Sequence, residues 1–225
     1  MFASDKGVTS TLRALAWALV ASSVAIPGIF RDVVAASSDS GSFALAIAVQ
    51  TRTFTTMSYS DIRPLQRPEV GGEIEVGSRL GTSWWGVVTG YLGGAWFDFS
   101  GPTTSGTIED LSWLIRVGLD RHFELGSRSA VYFGAGGQYG ESRSWLDTYQ
   151  TAEEGLRVFE GGAYFRAGAN TQLRGASRVY LQLAQAAFRA HARQARLQND
   201  FNWLGNSLEV SAGLRIVFGT GPTVE

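Results

Sequence analysis

A chain of 225 residues with 44% hydrophobic residues is long enough for one domain with an ordinary core, and its formal net charge of −1 excludes the basic excess typical of nucleic-acid binders. The absence of cysteine excludes disulfides, thiolate metal sites and a cysteine nucleophile. Its 28 glycines and 12% aromatic residues favour closely packed strands over helices.

The N-terminus comes first. Lys6 and Arg13 precede the apolar stretch Ala14 to Phe30, which is interrupted by Ser22, Ser23, Pro27 and Gly28. A charged flank, an apolar middle and a small-residue exit form the anatomy of a signal peptide. Cleavage can follow Ala25, in Ser23-Val24-Ala25, or Ala35, in Val33-Val34-Ala35, and the polar segment Ser37–Ser42 favours the later site. An uncleaved inner-membrane anchor is the alternative, but the segment falls short of the ~20 apolar residues that span a bilayer and contains Pro27. The predicted organisation is a signal peptide over 1–35, a linker over 36–42, a β-barrel over 43–218 and a tail over 219–225.

From Phe43 onward the hydrophobic period is two, as in strands with one apolar and one polar face. The first predicted strand, 43–54, sets Phe43, Leu45, Ile47 and Val49 against Ala44, Ala46, Ala48, Gln50 and Arg52. The second, 71–81, sets Ile74 and Val76 against Glu73, Glu75 and Arg79. In the third, 84–98, Gly86, Gly90, Gly94 and Asp98 share a face with Val88, Leu92 and Trp96, so no orientation is assigned. The fourth, 108–123, has Leu111, Trp113, Ile115, Val117 and Leu119 opposite Arg116 and Asp120. The fifth, 129–142, offers Val131 and Phe133; the sixth, 156–172, sets Phe159 and Phe165 against Glu160 and Arg166. The seventh, 177–190, carries Val179, Leu181 and Leu183, and the eighth, 207–218, is the clearest. There Leu208, Val210, Ala212, Leu214, Ile216 and Phe218 oppose Glu209, Ser211, Gly213 and Arg215.

Short connections at 82–83, 124–128 and 174–176 alternate with long ones at 55–70, 99–107, 143–155 and 191–206. Outer-membrane barrels have this asymmetry, with short periplasmic turns and longer extracellular loops, whereas a soluble barrel or sandwich does not need it. The apolar faces carry no charge. The polar faces hold Arg52, Glu73, Glu75, Arg79, Arg116, Asp120, Glu160, Arg166, Glu209 and Arg215, which in a narrow lumen would pair with one another. Aromatic residues gather near predicted strand ends, with Trp84, Trp85, Phe123 and Phe218 on the short-turn side. On the long-loop side stand Phe54, Trp96, Phe97, Phe99, Tyr139 and Trp145, completing the girdles expected at two lipid interfaces.

The last strand reads Ser211-Ala212-Gly213-Leu214-Arg215-Ile216-Val217-Phe218. It resembles the β-signal of outer-membrane barrels, and residues 43–218 resemble in architecture the transmembrane domain of outer-membrane protein A and the small barrels of the porin family. The resemblance implies an all-β, eight-stranded antiparallel up-and-down transmembrane barrel in an outer membrane of the Gram-negative type, expected as a monomer. It implies recognition of Ser211, Gly213, Ile216 and Phe218 by the barrel-assembly machinery through edge pairing. Members commonly end at the final aromatic residue, whereas this chain continues through Gly219–Glu225.

Chemistry is sparse. His122 and His191 are the two histidines, and neither stands in the His-x-Ser arrangement of the lipid A deacylases that resemble this architecture: the sequence reads His122-Phe123-Glu124 and His191-Ala192-Arg193. The segment Gly134 to Gly140 resembles a dinucleotide loop, but Tyr139 occupies the third glycine position and strand surrounds it. No cofactor and no metal are expected. Arg189, Arg193 and Arg196, near the end of the seventh strand, are candidates for bidentate contact with lipopolysaccharide phosphates, against the plainer reading of a solvated basic loop. The expected function is therefore non-enzymatic, in envelope integrity or in recognition by the long loops. A narrow channel or carrier for a small hydrophobic solute is the alternative, and a lipid-modifying enzyme is a weaker one.

Overall fold

The computed structural model describes residues 42–57, 68–100, 105–148, 151–193 and 200–219. The predicted signal peptide, its two cleavage sites, nearly all of the linker and the tail beyond Gly219 lie outside them. Eight strands follow in order: β1 (Phe43–Met57), β2 (Pro68–Arg79), β3 (Trp84–Ser100), β4 (Ser105–Glu124), β5 (Ser129–Thr148), β6 (Thr151–Arg174), β7 (Ser177–Arg193) and β8 (Asp200–Phe218). Each pairs antiparallel with its chain neighbour, and β1 with β8 closes the ring.

Closure satisfies the backbone donors and acceptors of every strand, the condition for crossing a bilayer with sheet. The order of polarity is inverted relative to a water-soluble protein. Ile47, Val117, Phe165 and Leu181 point outward, each 55–59% exposed, while Arg52, Glu73, Glu75, Arg166 and Glu209 point inward at 1–2%. An uncharged belt of this kind is stable against hydrocarbon and costly against water.

The strands extend further than alternation predicts. The connections read as long loops at 99–107 and 143–155 are largely strand: β5 and β6 pair as far as Thr148 with Thr151, and β3 and β4 as far as Ser100 with Ser105. Above an apolar belt both faces of a hairpin meet water, so the contrast that marks a strand in sequence disappears. On the opposite side the turns are tight, and Gly126 and Gly175 supply the positive φ values of 91° and 56° that two of them require.

The third strand takes a definite orientation. Val87, Thr89, Tyr91 and Ala95 face the lumen, and Gly86, Val88 and Gly90 face outward. Two predicted girdle residues are corrected by the same register. Trp85 faces the lumen, its ring 5.6 Å from that of His122, and Phe54 lies inside, edge-on to Phe188 at 6.2 Å. Trp84, Phe123 and Phe218 do face outward.

Large rings fill the narrow interior because glycines oppose them: a Cβ on Gly168 would enter the ring of Tyr132, and one on Gly118 the phenol of Tyr164. Gly213 is tighter still, since its Cβ would meet the Ile47 carbonyl oxygen and the Ala48 backbone across the closing seam. Gly213→Val is expected to cost about 1–3 kcal/mol by overpacking. Refolding into micelles with the heat-modifiable gel band as readout checks this, and an unchanged folded fraction and urea midpoint would refute it.

Candidate functional site

The lumen holds the chemistry of the molecule, and the two-residue period aims it there. Near the tight turns, Arg166 on β6 reaches across the barrel. Its Nε and Nη2 donate to the two carboxylate oxygens of Asp120 on β4 at 2.9 and 2.5 Å, and its Nη1 donates to Glu75 on β2 at 2.5 Å. Arg215 on β8 completes the cluster by donating to the other oxygen of Glu75 at 2.6 Å. Tyr132 lies beneath both guanidinium groups, 5.7 Å from that of Arg166 and 5.0 Å from that of Arg215.

Toward the other end a second cluster forms around Glu209. Arg116 donates to it at 2.5 Å, Gln50 at 2.6 Å and Ser207 at 3.0 Å, and Arg52 lies 3.2 Å away. Arg52 also bonds Glu160 across the barrel, and its guanidinium sits 4.3 Å from the centre of the Phe54 ring. The bonds Arg116–Glu209, Arg52–Glu160, Arg166–Asp120, Arg166–Glu75 and Arg215–Glu75 join strands that are not neighbours in the sheet, so they brace the barrel through its middle as well as around its wall. A buried ion whose remaining positions are hydrogen-bonded repays much of its desolvation cost; an unpaired one does not.

Nine of the ten charged residues predicted for the lumen face it. Arg79 is the exception in its bonding: at the end of β2 it donates to the carbonyl oxygens of Gly81 and Thr82 at 2.8 and 2.6 Å, tying the turn rather than a carboxylate. Glu69 is a lumenal acid outside the predicted set. Glu69, 4% exposed, accepts from Ser112 Oγ at 2.8 Å. It sits beside Pro68 in a stretch that reads as loop, and only its even spacing from Glu73 and Glu75 could have betrayed it. Among the described residues the buried lumen therefore carries six carboxylates, Glu69, Glu73, Glu75, Asp120, Glu160 and Glu209, against four guanidinium groups. Glu73 is held by hydroxyls, from Tyr180 at 3.3 Å and Ser211 at 3.4 Å.

The histidines stand apart from one another. His122 faces the lumen, stacked on Tyr132 with ring centroids 5.1 Å apart, and its Nε2 lies 3.9 Å from Asp120, whose oxygens are already held by Arg166. His191 Nδ1 lies 3.2 Å from the amide oxygen of Asn202. Of the arginines read as phosphate contacts, Arg189 is exposed on the outer face opposite Leu204. Arg193 ends β7 opposite Arg157, while its side chain and the whole of Arg196 lie outside the described residues. In the terminal strand Ser211 and Gly213 face inward, Ile216 and Phe218 outward, and Phe218 stacks on Phe43 at 4.5 Å.

No family model and no curated protein matches the sequence. Solved structures match in fold. The outer membrane protein OprG from Pseudomonas aeruginosa superposes with a TM-score of 0.55 at 11% identity, over 80% of this chain and 97% of that one. Ail, the attachment invasion locus protein of Yersinia pestis, gives 0.48 at 10% identity over 79% and 99%. Neisserial surface protein A gives 0.46 at 14% over the same shares of the two chains. At such identities the likeness is one of architecture alone.

Proposed function

We infer that this chain, which has the fold of the small eight-stranded outer-membrane β-barrels, is a non-enzymatic integral outer-membrane protein acting in envelope integrity or through its extracellular end. The observation that carries this reading is the filled lumen. An eight-stranded barrel is barely wider than its own side chains, and here Arg52, Arg116, Arg166 and Arg215 cross it to carboxylates on distant strands, each at most 3% exposed. Such a barrel is an anchor. Export through a cleaved signal peptide, insertion by the barrel-assembly machinery at β8 and a monomeric state all accord with it, since a closed ring leaves no strand edge for a second copy.

A carrier for a small hydrophobic solute would need a gap beside the glycine-rich third strand. Gly86 and Gly90 face outward, Gly93 lies against the Tyr91 phenol, and the inner face carries Val87, Tyr91 and Ala95 at 3–6% exposure, which argues against it. Enzymatic hydrolysis would need a nucleophile paired with a base. His122 instead packs between rings, and His191 meets an amide. Contact with lipopolysaccharide phosphates at Arg189, Arg193 and Arg196 belongs to the same reading, because Arg189 and Arg193 lie toward the end of β7 away from the tight turns.

Single-channel recording is the test. The refolded chain, shown to be folded by its heat-modifiable migration, is expected to insert into a planar bilayer without conductance steps. Reproducible steps would overturn the sealed-lumen reading and give the channel its place.

A further inference from the structure

One charged cluster of the wall lies outside the lumen. Glu141, Arg143 and Arg157 stand on the outward face of β5 and β6, at the end remote from the tight turns. Arg143 and Arg157 are direct cross-strand partners, and Arg157 is in turn opposite Arg193 of β7. Three arginine positions thus form one row across three adjacent strands, ended on β8 by Asp200 opposite Arg193. Like charges directly opposite one another destabilise a sheet. Glu141 offsets part of that repulsion: Arg143 Nε donates to its Oε1 at 2.6 Å, and Arg157 donates to both of its oxygens at 2.5 and 3.0 Å.

The carboxylate is covered by its two partners, 6% exposed, while the arginine side chains remain 44% and 41% exposed. One carboxylate is shared by two guanidinium groups, and both of these remain open to the outside. The setting fixes what can meet it. Glu141 lies between Trp113 and Phe159 in the register, the Arg157 guanidinium lies 4.8 Å from the centre of the Phe159 ring, and Tyr139 is 54% exposed just below. Outward aromatic residues mark the boundary between hydrocarbon and headgroups. The arginines stand one step beyond that boundary, where the groups within reach are lipid headgroups rather than acyl chains.

We propose that Glu141 orients Arg143 and Arg157 as a clamp for a phosphate of an outer-leaflet lipid headgroup, of the phosphomonoester glycolipid class represented by diphosphorylated lipid A. The planar forks of two guanidinium groups suit the tetrahedral oxygens of a phosphomonoester, and the charges are complementary. This site rests on the outer-membrane reading above and is separate from Arg189, which stands four residues further into the belt than the arginine row.

The test uses the full-length chain refolded in detergent, with folding of every variant checked by heat-modifiable migration, and measures binding of diphosphorylated lipid A in mixed micelles at low salt. Arg143→Gln with Arg157→Gln is expected to weaken binding at least about tenfold, the loss of charge-assisted bonds to one phosphate. The corresponding double lysine variant keeps the charge and is expected to lose less. Glu141→Gln is expected to weaken binding, because the carboxylate that holds the two guanidinium groups side by side is lost; binding tighter than that of the unchanged protein would overturn the orienting role. Affinity of the double glutamine variant within twofold of the unchanged protein would overturn the proposal, as would equal binding of dephosphorylated lipid. Full competition by millimolar inorganic phosphate would reassign the site to a free anion. If Arg189→Gln alone abolishes binding, the lipid reading survives and this site falls; if the unchanged protein binds no lipid A, both fall.

Discussion

Arg166→Leu is expected to lower the stability of the folded barrel by about 3–5 kcal/mol, the range for removing one partner from a buried ion pair. The size follows from what is stranded. Asp120 is 0% exposed and Arg166 supplies two of its hydrogen bonds, while Glu75 keeps Arg215. Leucine fills the volume without neutralising Asp120. Urea unfolding in lipid vesicles, followed by tryptophan fluorescence, measures the loss. Adding Asp120→Asn to Arg166→Leu is expected to recover part of it, a coupling visible in a double-mutant cycle. Arg79→Gln is the control: its bonds go to a turn in contact with water, and its effect should stay near 0.5–1 kcal/mol. A midpoint unchanged by Arg166→Leu would mean that the cross-barrel bonds contribute nothing net.

The second large effect comes from the outside. Val117 is 59% exposed in the middle of β4. In a water-soluble protein an arginine there would change stability by no more than about 0.5 kcal/mol. In a barrel whose belt faces hydrocarbon, Val117→Arg is expected to cost about 2–4 kcal/mol, the range for a basic residue near the midplane of a membrane barrel. Urea titration from vesicles again reads it. Tolerance of the arginine at no cost would show that this surface does not meet lipid, and would remove the basis for placing the chain in a membrane.

The strands were legible because lipid on one side and a polar lumen on the other write period two into the chain. In β8 that contrast persists from Leu208 to Phe218, and both its face and its end can be read directly. Where the contrast ends, so does the message. The outer parts of β5 and β6, including Arg143, read as loop because both faces of those ribbons lie beyond the belt, and Arg157 falls at the very start of the sixth predicted strand. The outward arginine pair was therefore invisible, although each residue is plain in the sequence; what it lacked was a partner, and register alone supplies one. Glu69 was lost beside Pro68 for the same reason. The third strand resisted because glycine occupies its outer face, where a side chain would have declared the orientation. The consecutive Trp84 and Trp85 looked like one girdle; pleating sends them to opposite sides of the wall.

The closing joint has a consequence in time. Seven of the eight pairings connect neighbours along the chain and can zip as hairpins, whereas β1 with β8 unites Phe43 with Phe218. The most sequence-distant pairing of the molecule is concentrated in that one event. For an ideal chain, closing a loop of this length costs about 4–5 kcal/mol of entropy beyond a constant, and it must be met in a single late step. Until then two long strand edges lie open, and an unsealed sheet can add another chain as readily as its own end. The hazard in the life of this protein is thus a matter of waiting: how long the open sheet persists before its last strand arrives, whatever the stability of the ring once shut.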